Sequence, residues 1–203
     1  YTRLTQALVT AMTVEMSQGK LYEVDMRLRP SGRKGPVATS WTSFKDYQTN
    51  EAWAWEHLAL TRGRVICGNS ELSINIEDFR LQLIKNVRPE VAVRSLKEMR
   101  EKIQKIDLNN NKWEFKQGIG RMQDIELFSQ LSTVINGQVT RDVSSGLIAG
   151  SESGLLTNTQ LDQILKTYKF LKEMNMATRL INDPSQEFEK ISTSGHSFIL
   201  KLT

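Results

Sequence analysis

The sequence predicts an α+β protein in which a small mixed segment, residues 1–68, leads into an all-helical region, residues 69–203. Three observations predict it. The stretch LYEVDMRLR at 21–29 alternates apolar and charged residues with a period of two, the period of a strand. From Asn69 onward, apolar residues recur at helical spacing over long stretches, with no second strand-rich region and no exact repeat. Clusters of Gly, Ser, Asn and Pro punctuate the periodic segments: SQGK, SGRKGP and DLNNNK.

Taken in order, residues 3–16 read as a helix with Leu4, Ala7, Leu8, Ala11 and Met12 on one stripe, ending where Gly19 can adopt a left-handed cap. In the strand at 21–29, Tyr22, Val24, Met26 and Leu28 share one face, and Glu23, Asp25, Arg27 and Arg29 the other. Pro30 ends it, having no N–H for a ladder. Val37 to Thr39 is a short extended piece, and Ser40 or Thr42 caps a helix through Tyr47. A further helix spans roughly Glu51 to Arg62, with Trp55, Leu58, Ala59 and Arg62 along its inner stripe and Glu56, Leu60 and Arg64 on a neighbouring line. Trp53 and Trp55 lie about 200° apart on such a helix, so one is core and the other covers a second surface. Helices follow at about 70–86, 88–105, 122–136 and 158–181, separated by DLNNNK at 107–112 and the small-residue stretch SSGLIAGSESG at 144–154.

Bulk properties exclude some classes. The 203 residues suffice for one large or two small domains, and 39% hydrophobic with 25% charged residues is ordinary for a globular chain. No apolar run approaches the roughly 18 residues that cross a bilayer. Cys67, the single cysteine, has no intramolecular disulfide partner, which fits a cytoplasmic protein, and it reads as a buried small hydrophobe. The net charge of +4 comes from 27 basic and 23 acidic side chains mixed along the chain, which argues against nucleic acid as a partner. His57 has no second ligand at metal spacing and reads as a packed or surface histidine. Opening on Tyr1 and directly on a helical pattern, the sequence is expected to be the middle of a longer protein.

Two stretches carry candidate chemistry. Residues two apart on a strand sit about 6.5–7 Å from each other, so Asp25 and Arg27 can meet one ligand, and the loop SGRKGP beyond them adds Arg33, Lys34 and two glycines that suit an anion. From pattern alone a solvated strand face with a surface turn is favoured; the sharper alternative is an acidic metal ligand beside phosphate-facing arginines. In KQGIGRMQDIELFSQ at 116–130, Gly118 and Gly120 precede a helix, where N–H groups and the dipole favour an anion. Lys116, Asp124 and Glu126 form a second candidate set there, although a glycine turn followed by dipole-complementing acids explains the same residues.

The blocks LYEVDMRLRPSGRKGPVATS, FKDYQTNEAWAWEHLALTRGRV and KQGIGRMQDIEL, in that order, resemble the glutamine synthetase adenylyltransferase family, also called glutamate-ammonia-ligase adenylyltransferase. The first two blocks, residues 21–66, are long and specific, and the third is shorter and degenerate. Family members carry two nucleotidyltransferase halves, one attaching AMP to a tyrosine of glutamine synthetase and one removing it by phosphorolysis. EAWAWEHLALTR with MQDIEL resembles the C-terminal, attaching half. The resemblance implies that residues 1–68 are the C-terminal part of a nucleotidyltransferase domain and that residues 69–203 are a helical regulatory or docking domain.

It further implies that Asp25 is the third carboxylate of the site, a metal ligand for Mg²⁺ and an acceptor for the proton of the attacking tyrosine, with ATP as substrate. Arg27, Arg29, Lys34, Arg62 and Arg64 would meet the nucleotide's phosphates, or, for Arg27 and Arg29, hold the carboxylate in place and, for Arg62 and Arg64, act as structural ion-pair partners. Two departures stand out. The upstream Asp-x-Asp pair of the family is absent, so this chain alone is expected to be inactive. Gly120 is followed by Arg121 where the family has a second glycine, and Leu127 replaces a phenylalanine. Glutamine synthetase and a PII-type signalling protein are the implied partners. Two alternatives remain, the AMP-removing half, or a non-catalytic module that docks one of these partners.

Overall fold

The computed structural model describes residues 1–105 and 114–181, together with positions 193 and 197. Its elements among these residues are helices: α1 (Thr2–Thr13), α2 (Trp41–Asn50), α3 (Ala54–Leu60), α4 (Ser70–Asn86), α5 (Pro89–Lys105), α6 (Met122–Asn136), α7 (Val143–Glu152) and α8 (Asn158–Ile181), plus a 3-10 turn at Gly32–Lys34. The DLNNNK turn lies outside the described residues.

The α+β expectation is therefore wrong: among the described residues there is no strand and no sheet, and the fold is all-helical. The alternation at 21–29 is present, but a strand exists only where a neighbour completes its ladder, and none of the described residues does so. Asp25 also turns the segment inward. Its Oδ1 accepts the main-chain N–H of Arg27 at 2.9 Å, a local bond that competes with ladder pairing, and Arg29 N–H then bonds Met26 O at 3.3 Å as the chain turns.

The long helices match their periodicity. Ser40 caps α2, its Oγ accepting Ser43 N–H at 3.1 Å, and Asn69 caps α4 through Leu72 N–H at 3.2 Å. The helix expected over 51–62 is shorter, because Glu56 reaches back to the Trp53 N–H at 3.1 Å and fixes the start of α3 at Ala54. Trp53 therefore precedes α3 and faces solvent, while Trp55 is half-buried, so the expected helical separation of the two does not arise and neither lies in the core. His57 packs on the end of α2 through Gln48 O at 3.0 Å. Cys67 is exposed rather than buried, since it sits in the irregular connection between α3 and α4.

α6 is the central element. Leu131 and Val134 join Leu58 of α3, Ile84 of α4 and Ala92 of α5 in one core, while Ile125 joins Val143 and Leu147 of α7 with Leu161, Ile164 and Leu165 of α8 in another. Full burial of side chains such as Leu58, Ile84 and Leu147 contributes about 1.5–3 kcal/mol each. α7 occupies most of the small-residue stretch at 144–154 that the sequence places between helices. Its glycines are what make it fit: a Cβ on Gly146 would lie 2.1 Å from Ser129 Oγ and 2.7 Å from Ser129 O, and one on Gly150 would lie 2.7 Å from Ser132 Oγ. Asp142 caps α7 through Ser145 N–H at 2.9 Å, and Ser129 Oγ donates to Val143 O at 2.9 Å, locking the two helices.

By contrast, α1 buries no residue, and its apolar stripe, including Leu4 and Leu8, is exposed. No helix among the described residues is long and apolar enough to cross a membrane.

Candidate functional site

Asp25 and Arg27 meet on the surface. The Arg27 guanidinium donates to both carboxylate oxygens, from Nε at 3.0 and 2.9 Å and from Nη2 at 2.5 Å, a fork geometry that holds the carboxylate flat against it. Their side chains are 57% and 68% exposed, respectively, so the pair is open to a ligand and adds little to stability.

The loop that follows is tied together by its own backbone. Arg29 donates from Nη1 to Met26 O at 3.1 Å and from Nε to Gly35 O at 3.2 Å, closing the two ends of the loop. Inside it, Gly32 N–H bonds Arg29 O at 2.8 Å, Lys34 N–H bonds Ser31 O and Gly35 N–H bonds Gly32 O, both at 3.2 Å. Ser31 takes φ 59°, the left-handed region, and Gly35 cannot carry a Cβ, which would lie 1.9 Å from Pro30 O. Most of the loop's N–H groups are therefore spent internally. What it offers an anion is positive charge on the exposed Lys34 side chain and on Arg27 at its entrance.

Behind the loop stands a hydrogen-bonded pair that the sequence reading passed over. The Tyr47 hydroxyl on α2 donates to Glu56 on α3, lying 3.1 and 3.0 Å from its two carboxylate oxygens. Glu56 is 7% exposed. Burial pushes the Tyr47 hydroxyl's pKa above its ordinary value; the nearby Ser31 main chain opposes this, and the bond and charge of Glu56 add to it. The spacing Trp53-x-x-Glu56, a reach-back to a helix start, was the available signal for Glu56.

The arginines beyond α3 part company. Arg62 Nη1 lies 3.4 Å from Glu126 Oε2 on α6, and Glu126 Oε1 accepts the Tyr168 hydroxyl of α8 at 3.0 Å. Two candidate residues far apart in sequence, Arg62 and Glu126, are thus brought together as ion-pair partners. Burial, then the charge and hydrogen bond of Glu126, push Tyr168 up to about 12, with Arg62 opposing. Arg64 is exposed and lines a groove of about 440 Å³ with Trp41, Phe44, Leu60, Cys67 and Arg80. Glu77 and Arg80, one turn apart on α4, underlie it: the buried Arg80 donates to Glu77 Oε2 from Nη2 at 2.6 Å and to Leu60 O and Thr61 O at 3.0 and 3.1 Å.

In the 116–130 segment, Asp124 turns away from any ligand. It accepts Arg100 of α5 in a fork, 3.2 Å from Nε and 2.9 Å from Nη2, and caps its own turn through Gly120 N–H at 2.9 Å. Arg121 folds over Gly118 to Glu114 O and to Gln117 O, the latter at 3.2 Å. Lys116 is exposed, with its main-chain N–H on Glu114 Oε1 at 2.7 Å. The glycine turn is therefore closed by its own acids.

No group of three or more His, Cys, Asp or Glu side chains placed to hold a metal occurs among the described residues. Asp25 supplies one exposed carboxylate. Mg²⁺ takes one or two carboxylates together with waters and phosphate oxygens; both Asp25 oxygens already accept Arg27, so Asp25 can offer a metal at most one ligand, through an oxygen it shares with that arginine.

Residues 1–79 match the family model described as glutamate-ammonia ligase adenylyltransferase. The chain is 37% identical over 190 residues, 90% of its length, to the bifunctional glutamine synthetase adenylyltransferase/adenylyl-removing enzyme of Rhizobium meliloti (strain 1021), of which it covers 19%. It is 42% identical over its whole length to the enzyme of that name from Mesorhizobium japonicum (strain LMG 29417 / CECT 9101 / MAFF 303099), of which it covers 21%. The chain thus spans about a fifth of the length of the curated relatives it matches.

Proposed function

The chain belongs to the glutamate-ammonia ligase adenylyltransferase family, and on that premise we propose that it works within a longer enzyme that transfers AMP from ATP to a tyrosine of glutamine synthetase. The observation that carries this proposal is the Asp25–Arg27 pair: a carboxylate held in a fork, exposed at the mouth of a basic loop, inside the family-matched segment.

In this reaction the tyrosine oxygen attacks the α-phosphorus of ATP, the bond from that phosphorus to the bridging oxygen breaks, and pyrophosphate leaves. A tyrosine hydroxyl with a free pKa of about 10 is a poor nucleophile at neutral pH, so a carboxylate oxygen of Asp25 accepts its proton as the bond forms. Arg27 orients that carboxylate and, with Lys34, offers charge to the phosphates. Mg²⁺, when bound, would neutralise charge on the triphosphate, with Asp25 as one ligand. Arg29 acts on the loop rather than on the phosphates, and Arg62 on Glu126, leaving Arg64 as the exposed cation near α3.

We assign the attaching rather than the removing activity on EAWAWEHLALTR and MQDIEL. On this reading residues 1–68 carry the catalytic side and residues 69–203 the regulatory or docking side, to which glutamine synthetase or a PII-type protein would bind. The test is Asp25→Asn in the full-length enzyme that carries this chain, with AMP transfer to glutamine synthetase followed alongside circular dichroism. Transfer should fall by about 100-fold or more with folding unchanged. Undiminished transfer would remove Asp25 from the mechanism, and dependence on inorganic phosphate instead of ATP would assign the chain to the removing half.

A further inference from the structure

We infer that the ridge formed by residues 65–67, with the start of α4, is a docking surface for a segment of glutamine synthetase that carries aliphatic side chains beside a carboxylate. This rests on the proposed reaction, which needs a protein partner, and names the surface of this chain that holds it.

The ridge has a hollow on either side. The groove of about 440 Å³ lies between Trp41 and Phe44 of α2 and Leu72 and Ile76 of α4, with Arg64 on its lining. A second hollow of about 610 Å³ is lined by Ser70, Ser73, Ile74, Asp78 and Arg141. Val65, Ile66 and Cys67 line both, so this stretch of chain is the wall between them. Ile66 is 76% exposed, Ile74 61% and Leu72 39%. Exposed aliphatic residues scattered singly need no explanation, but a group of them set around concave surface marks a contact site.

The surface is preformed. Arg80 holds Leu60 O and Thr61 O at 3.0 and 3.1 Å on one side of Arg64, and Glu77 Oε1 accepts the Val65 N–H at 3.1 Å on the other. Across the groove, Trp41 and Phe44 stack with ring centres 6.0 Å apart, and Phe79 meets Trp41 edge-on at 5.4 Å. A surface already in its bound shape loses little freedom on contact.

Charge selects the occupant. Glu77, the acid that lines both hollows, is already met by Arg80 and Arg141. On the groove side, Arg64 is exposed and Lys45 sets its Nζ 5.2 Å from the centre of the Trp41 ring; neither pairs with an acid among the described residues. The surplus there is positive, so the occupant brings a carboxylate. Exposed Asp78, Arg141 and Ser70 give the far side a polar rim. Aliphatic anchors inside a charged rim suit a partner that comes and goes, whereas a permanently covered face is more apolar, like a core cut in half. A protein substrate that leaves after each transfer is such a partner.

The experiment places a like charge against the partner's carboxylate, with Ile66→Glu and Ile74→Glu in the full-length enzyme that carries this chain. Both side chains face solvent, so the melting temperature should hold. Each variant should raise the KM for glutamine synthetase about 10-fold or more, the loss seen at an interface hot spot, with the KM for ATP unmoved. An unmoved KM for glutamine synthetase, or a KM for ATP that rises with it, overturns the inference.

The exposed Cys67 thiol reports on the ridge itself. Its alkylation by iodoacetamide, located by peptide mapping, should slow when glutamine synthetase is added to the parent enzyme and should not slow in Ile74→Glu. Three results overturn the docking: alkylation indifferent to glutamine synthetase; protection in the enzyme alone, which assigns the ridge to another part of the same polypeptide; and protection that grows with enzyme concentration, which assigns it to a second copy. The two claims separate cleanly. AMP transfer without protection leaves the proposed reaction standing and removes the docking surface, and protection without transfer does the reverse.

Discussion

Arg62, at the end of α3, reaches Glu126 on α6, its Nη1 lying 3.4 Å from Oε2, and the same carboxylate takes the Tyr168 hydroxyl of α8. One acid therefore joins the family-matched segment to the last long helix. Periodicity placed Arg62 beside the apolar face of its helix but gave no sign of what stood opposite.

Tyr168 should make stability fall at high pH. Its pKa is raised in the folded protein to about 12, above the unfolded value of about 10. Its contribution is present in full below the unfolded value and is lost as pH rises through the folded one. Urea unfolding should weaken progressively between those two pH values, and Tyr168→Phe should flatten that part of the profile. An unchanged profile in the variant would mean that the decline belongs to other groups.

Glu77 should act in the opposite direction. Burial alone would raise its pKa, but the hydrogen bonds from Arg80 and the Val65 N–H, with the charges of Arg80 and Arg141, more than reverse this and hold it below the ordinary glutamate value. Its contribution is present above the unfolded pKa and is lost as pH falls through the folded one. Glu77→Gln should remove part of the acid-side loss in an unfolding titration. Arg80→Ala, which leaves Glu77 with Arg141 and the Val65 N–H and frees Leu60 O and Thr61 O, should cost about 1–3 kcal/mol in urea unfolding at neutral pH.

Gly146→Ala tests the contact of α6 with α7. The added Cβ meets both the side chain and the main-chain oxygen of Ser129, and the latter cannot rotate away. A loss of about 1–3 kcal/mol is expected. Gly150→Ala meets only the Ser132 side chain at close range and should cost less. Equal effects would show that backbone crowding is not what sets the distance between these helices.

Asp142 at the start of α7 should be worth about 1 kcal/mol, since it accepts the Ser145 N–H and hydroxyl. Asp142→Asn should retain most of this and Asp142→Ala should lose it, read from thermal unfolding.

Much of the helical architecture was legible. α4, α5, α6 and α8 carry apolar positions at a spacing that only a helix brings to one side, and Ser40 and Asn69 announce their helices through side chains that satisfy free N–H groups. The Asp25–Arg27 meeting was also legible, because partners two residues apart need no tertiary fold to find each other. α7 was not. Its Ser and Gly residues read as a loop because their propensity for helix is low, and its helicity depends on what α6 presents to it, a row of Ser129, Ser132 and Thr133 small enough to admit a glycine face.

The strand expected at 21–29 failed for a related reason. A period of two states which residues would share a face, but a strand needs hydrogen-bonding neighbours that lie beyond the segment itself, and the local turn at Asp25 took up the Arg27 N–H instead. What the sequence determined by itself is what short-range spacing can determine: most helices, their caps, and a local acid–arginine pair. The tertiary structure decided the long-range partners, pairing Arg62 with Glu126, Arg100 with Asp124 and Tyr47 with Glu56. Charge complementarity alone leaves many partners equivalent, and only the packing of α3, α5 and α6 around a shared core brings one of them within reach.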